Sequence, residues 1–135
     1  MNEAGTIGRV LAESRVVAVV GLSDNPQRPS YRVARYLQSH GYRVIPVNPT
    51  LPEVLGEKSY PDLDAVPGPV DVVDIFRREE EAPAIVEAAI RKGAWAVWMQ
   101  EGVVNETAAR RARAAGVLVV MDRCMLKEHS RWAAG

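Results

Sequence analysis

The sequence has one cysteine, two histidines, and neither a G-x-x-x-x-G-K-[ST] run nor a G-x-G-x-x-G run. A lone thiol, Cys124, excludes an internal disulfide and any multi-cysteine metal site. Without the first glycine motif there is no phosphate lysine or magnesium hydroxyl of the P-loop kind, and without the second there is no dinucleotide fingerprint. Net charge is missing as well: 17 basic and 17 acidic residues cancel, so no global field draws the chain to nucleic acid or anionic lipid. No apolar run approaches membrane-spanning length, and the opening stretch MNEAGTIGRVLAESR has no apolar signal core. The expectation is a cytoplasmic protein with no metal, no nucleic-acid partner and no membrane contact.

What is present fits a single α/β domain over residues 1–135: the chain is 47% hydrophobic and 25% charged, enough for one compact core but not two. Five apolar runs have strand length, at residues 16–20 (VVAVV), 43–47 (RVIPV), 70–76 (VDVVDIF), 94–99 (AWAVWM) and 117–121 (VLVVM). They are too continuously apolar to have one wet face, which implies a parallel sheet covered on both sides. Helical stretches separate them. One is N-capped by Ser30 and ends at Gly41; a second starts near Glu79, Glu80 and Glu81 and stops at Gly93; a third is capped by Asn105 and closed by Gly116. A short helix over residues 6–13 precedes the first strand, and the proline-rich segment 48–69 reads as an irregular crossover. Right-handed crossovers give a Rossmann-like, doubly wound sheet, with 3-2-1-4-5 as the expected strand order.

Ligands of such sheets sit beyond the carboxyl ends of the strands. That rim contains residues 21–30, 47–49, 76–78, 98–102 and 122–125. The loop after the first strand has Gly21 for close backbone approach, then Ser23, Asn25, Arg28 and Ser30 as donors before a helix N-terminus, an arrangement suited to a phosphate or pyrophosphate. The same stretch also reads as a polar connection in which Ser30 only caps a helix. NAD is disfavoured, because LSDNP follows Gly21 and the end of the second strand, PVNP, has no acid for a ribose hydroxyl.

No catalytic constellation emerges. His40 and His129 read as surface residues rather than a base, and Asp74, inside a strand, reads as a hydrogen-bonding support for the rim rather than half of an acid–base pair with Asp71. Trp95 and Trp98 differ by three along a strand, so they are expected on opposite faces, with Trp98 at the rim. Cys124 lies near Arg123 and Lys127, which would favour a thiolate capable of thiol exchange at an exposed site; a buried, inert cysteine is the alternative.

The stretches GLSDNPQRPSYRVARYLQSHGYRVIPVNP, LGEKSYPDLDAVPGPVDVVDIFRR, VWMQEGVVNE and VVMDRCMLKEH resemble, in order and spacing from about residue 14 to 131, the small stand-alone CoA-binding proteins. These are similar to the N-terminal CoA-binding domain of the succinyl-CoA synthetase α subunit. The resemblance implies coenzyme A or an acyl-CoA as ligand. Its nucleotide end would lie at Gly21, Ser23, Arg28 and Ser30, with Val47, Asn48 and Pro49 and Phe76, Arg77 and Arg78 lining the site, and its pantetheine arm would face Met99, Gln100 and Gly102. The ligase domain of the synthetase has no counterpart in these stretches, so binding or regulation is expected rather than catalysis. Two alternatives stay open: an NAD(P)-linked oxidoreductase or CoA-dependent subunit completed by a partner, and a ligand-free scaffold. A protein partner or a homo-oligomer is compatible with either.

Overall fold

The computed structural model describes residues 2–135. Its main sheet has five parallel strands, Val16–Val20 (β1), Arg43–Val47 (β2), Val72–Ile75 (β5), Ala96–Met99 (β6) and Leu118–Val120 (β7), in the order β2-β1-β5-β6-β7. Two short strands, Glu53–Val54 (β3) and Glu57–Lys58 (β4), form a separate antiparallel hairpin. Leu55 and Gly56 turn it, both at positive φ (54° and 76°), as a two-residue hairpin turn requires.

Numbered along the main sheet, this order is 2-1-3-4-5 and not the expected 3-2-1-4-5. The reason lies in the crossover. Tyr60 makes a parallel bridge to Val47, its N–H donates to Pro46 O at 3.1 Å, and its carbonyl accepts from Asn48 N at 2.9 Å. The crossover therefore fills the outer position beside β2. The first long strand after it, β5, pairs on the other side of β1. The winding reverses between β1 and β5, which fixes the place where the rim opens.

Both faces are covered, as the unbroken apolar strands require. Thr6–Glu13 (α1), Pro29–Ser39 (α2) and Met125–Ala134 (α5) pack on one face, where Val10, Leu11, Val33, Leu37 and Met125 meet Val17, Val19, Val44 and Trp98. Ala82–Lys92 (α3) and Glu106–Ala114 (α4) cover the other, where Val86, Ala89, Ala108, Ala109 and Ala112 meet Ala18, Val73, Ile75 and Val97. The small residues of α4 let its backbone lie close to the sheet, and Asn105 caps it by accepting from Ala108 N.

Several local expectations are corrected. Helix α2 begins with Pro29 at its first turn and Arg28 is its N-cap, without a side-chain cap bond; Ser30 Oγ instead accepts from Ser23 N at 3.0 Å. A 3-10 turn over Glu79–Glu81 precedes α3, and α5 is a further helix beyond those expected. Trp95 lies before β6, so strand alternation does not reach it; it packs on the same face as Trp98, under Arg9. Trp98 is fully buried in the core and forms no cavity wall at the rim; its Nε1 donates to Arg123 O at 2.9 Å, bracing the rim from beneath. His129 is also buried: its Nδ1 pairs with Tyr36 OH at 2.8 Å, tying α5 to α2.

Candidate functional site

Three cavities share walls along the carboxyl rim. The largest, about 610 Å³, lies above β5 and β6, between the start of α2 and the start of α5. Its walls include Pro29, Val33, Phe76, Arg77, Gln100 and Cys124. A second, about 320 Å³, lies on the α3 side among Val20, Gly21, Val47, Pro49, Leu63 and Ile85, with Arg77 and Glu81 at the boundary it shares with the first. The third, about 310 Å³, is formed by Gly21, Ser23, Arg28, Pro29, Ser30 and Phe76 at the N-terminus of α2. Gly21, Phe76 and Arg77 each line two of the three, so the cavities join into one bent trough over the β1–β5 reversal.

The loop after β1 is held from below. Gly21 N donates to Val47 O at 2.9 Å and Phe76 N to Val20 O at 2.9 Å, extending the sheet past its strands. Asn48 Nδ2 donates to Leu22 O at 2.9 Å, and its Oδ1 accepts from both Thr50 N and Thr50 Oγ1. Asn48 thus ties two loops together and is not among the lining residues. Asn25 is also used locally: its Oδ1 accepts from Gln27 N, and its own N–H donates to Ser23 Oγ.

Charge at the rim is partly neutralised. Glu81 pairs with Arg77 at 2.8 Å and with Arg78 at 3.4 Å, and the Arg77 hydrogen bond holds the Glu81 carboxyl below the usual carboxylate range. Arg28 differs. Among the described residues its guanidinium has neither an ion pair nor a hydrogen bond, and it stands exposed beside the first turn of α2. With Pro29 at the first position, the next backbone N–H groups of that turn have no intrahelical acceptor, so dipole, amides and guanidinium converge on one spot suited to an anion.

Of the residues expected at the pantetheine side, Gln100 lines the large cleft but Met99 is fully buried in the core, and Gly102 donates its N–H to Asp122 Oδ1 at 2.8 Å outside it. Cys124 is half-buried on the cleft wall. The two cations expected to attend it are engaged elsewhere: Lys127 Nζ lies 3.1 Å from both oxygens of Glu101, and Arg123 Nη1 donates to Asp122 O. Sequence reasoning missed Leu63 and Ile85 of the α3-side cavity. Their only signal was apolar character, Leu63 within the proline-rich crossover and Ile85 within the helix after β5. It also left Gln100 without its partner: Gln100 Nε2 donates to Asp74 Oδ1 at 2.6 Å.

Asp74 is fully buried, and burial pushes its carboxyl up to about 7 against the opposing Gln100 hydrogen bond. Among the described residues no group of three or more His, Cys, Asp or Glu could hold a metal ion, and no helix is long and apolar enough to cross a membrane.

Comparison with known proteins follows the same outline. The chain is 42% identical over 124 residues, 92% of each chain, to the uncharacterized protein YneT of Bacillus subtilis. A solved structure of a hypothetical protein from Pyrococcus horikoshii OT3 superposes with a TM-score of 0.91 at 42% identity, covering 94% of this chain and 89% of that one. A segment of 62 residues, 45% of this chain and 14% of the relative, is 39% identical to the α subunit of the ADP-forming acetate–CoA ligase II of Pyrococcus furiosus. The model of the CoA binding domain matches residues 15–130, all five strands of the Rossmann-like sheet and the helices that follow β1, and the chain therefore belongs to the CoA-binding domain family.

Proposed function

We propose that the protein binds coenzyme A or an acyl-CoA across the rim, as a binding or regulatory module of the cytoplasm. The observation that carries this reading is the bent trough: it has an anion-attracting corner at the start of α2, a cavity on the α3 side whose walls mix Val47, Leu63 and Ile85 with Asp62, Asp64 and Arg91, and a larger cleft with Cys124 on its wall. A nucleotide head fits the α3-side cavity, a diphosphate fits the Arg28 corner, and an extended arm fits the cleft. Coenzyme A has these parts in this order. NAD has a second nucleoside where coenzyme A has an extended arm, and no acid at the end of β2 would grip its ribose.

Calorimetric titration with CoA, acetyl-CoA, NAD, NADP and ATP tests this. The expected result is clear preference for CoA or its thioester; equal or tighter binding of NAD overturns it. A second reading, a CoA-dependent subunit completed by a partner, draws on the likeness to a ligase α subunit. It predicts turnover only when a second protein is added.

A further inference from the structure

The cleft floor contains one buried polar side chain, Gln100, which is only 4% exposed although it lines the cavity. Beneath it lies Asp74, whose row neighbours in the sheet are Val19 in β1 and Trp98 in β6. Among the described residues no cation faces the carboxyl. The buried residues of the helices packed on that side are Ser30, Val33, Ala34 and Leu37 from α2, Thr6, Val10 and Leu11 from α1, and Met125 and His129 from α5. His129, the one titratable group among them, is turned to Tyr36. Asp74 Oδ1 accepts from Gln100 Nε2, and among the described residues Oδ2 has no partner.

A carboxyl in this position costs folding free energy that an apolar side chain of similar size would not. What it supplies is orientation. A carboxamide has a donor end and an acceptor end of nearly equal shape, so packing alone does not decide which end faces outward. An ionised carboxylate only accepts, and it therefore fixes the nitrogen end of Gln100 toward itself and leaves the carbonyl end to the cleft. A protonated carboxyl also donates, and the unpartnered Oδ2 is the atom that would present the proton to a reversed amide.

We propose that Asp74 is a positioning residue that keeps the Gln100 carbonyl oxygen available to the cleft, where it accepts from a secondary-amide N–H on the arm of the bound ligand. The proposal rests on the CoA reading, because the pantetheine arm supplies such amides. The charge state of Asp74 then governs how firmly the arm is held, and the nucleotide end is indifferent to it.

The test is calorimetric titration of the full chain with CoA and with adenosine 3′,5′-bisphosphate, which has the nucleotide end and no arm. Asp74→Leu and Gln100→Leu are each expected to weaken CoA about five- to tenfold and leave the bisphosphate within about twofold, with the double variant no worse than either single one. Asp74→Asn both accepts and donates, as the protonated carboxyl does, and is expected to fall between wild type and Asp74→Leu at pH 8. Between pH 6 and 8, the ratio of wild-type to Asp74→Asn affinity for CoA is expected to rise about threefold, a ratio from which the ligand's own titration cancels. The assignment is overturned if both leucine variants bind CoA like wild type, if the bisphosphate loses as much as CoA, or if the ratio is flat with pH. Should Asp74→Leu not fold, Gln100→Leu alone decides. A wild type that binds neither ligand overturns the CoA reading too, and is distinguished from failure of the Asp74 assignment alone, in which wild type binds CoA.

Discussion

A Cβ placed on Gly21 would lie 2.5 Å from the carbonyl oxygen of Phe76, closer than real Cβ atoms approach backbone. Gly21 also has φ +89°, in the left-handed region. Both constraints come from the protein itself, from the contact of the β1 and β5 loops, and exist before any ligand arrives. Gly21→Ala is therefore expected to cost on the order of 1–3 kcal/mol of stability by denaturant unfolding. Unchanged stability with lost CoA binding would return Gly21 to the ligand-contact role that the sequence suggested.

Arg28 has the opposite character: among the described residues its side chain has no partner to lose inside the fold. Arg28→Ala should leave the melting temperature within about a degree and reduce CoA affinity roughly tenfold or more, the size of a charge-assisted bond to phosphate, about 1.5–3 kcal/mol. Calorimetry at fixed ionic strength measures it, and wild-type affinity in the variant removes Arg28 from the site.

Asp74 makes stability depend on pH in an unusual direction. Burial raises its carboxyl from 3.8 to about 7, so the folded state holds the proton more tightly than the unfolded one. The associated stability is fully present below about pH 4 and is lost as pH rises through 7, by a few kcal/mol in all. Asp74→Asn should flatten this fall. Identical pH profiles for the two proteins, measured by urea unfolding from pH 4.5 to 8, would contradict it.

His129 acts with the other sign. Burial, and secondly the nearby His40, push its imidazole below the ordinary value, so the fold favours the neutral ring. The stability that depends on it is present above about pH 6.5 and lost as pH falls through the folded value. His129→Gln in the Asp74→Asn background should lessen acid destabilisation between pH 6.5 and 5. An unaltered acid limb would show that the Tyr36–His129 contact does not govern it.

Cys124 shares the cleft wall with Gln100. If the arm of bound CoA reaches it, attack of the Cys124 thiolate on CoA disulfide forms a Cys124–CoA disulfide and releases one CoA thiol. Intact-mass measurement should find an adduct that dithiothreitol removes and that Cys124→Ser lacks. Wild type that binds CoA yet stays unmodified would retire the cysteine from the site.

The strands were readable because each is an apolar run that both sheet faces demand. Their order was not, because it turned on what the irregular crossover did; Tyr60 took the outer place beside β2. One sequence signal pointed there: Pro46 cannot donate to a ladder and favours an edge strand, and β2 is the last full strand on its side. Helix α5 was hidden by His129, a polar residue at a core position one turn after Met125. At the site, the Arg28 corner was legible as loop chemistry, and Asp74 was recognisable as a support within its strand. Its partnership with Gln100 spans 26 residues and two strands, and required the β5–β6 register.

The bend of the trough matters for chemists who would make ligands for this protein. Its two larger cavities meet at the Arg77–Glu81 pair, so a small molecule can occupy one without filling the other. Two weak fragments found separately could be joined by a short tether lying across that ion pair, and once one end is seated the other is presented at an effective concentration in the millimolar range. A straight, rigid linker would fail however well each fragment fits.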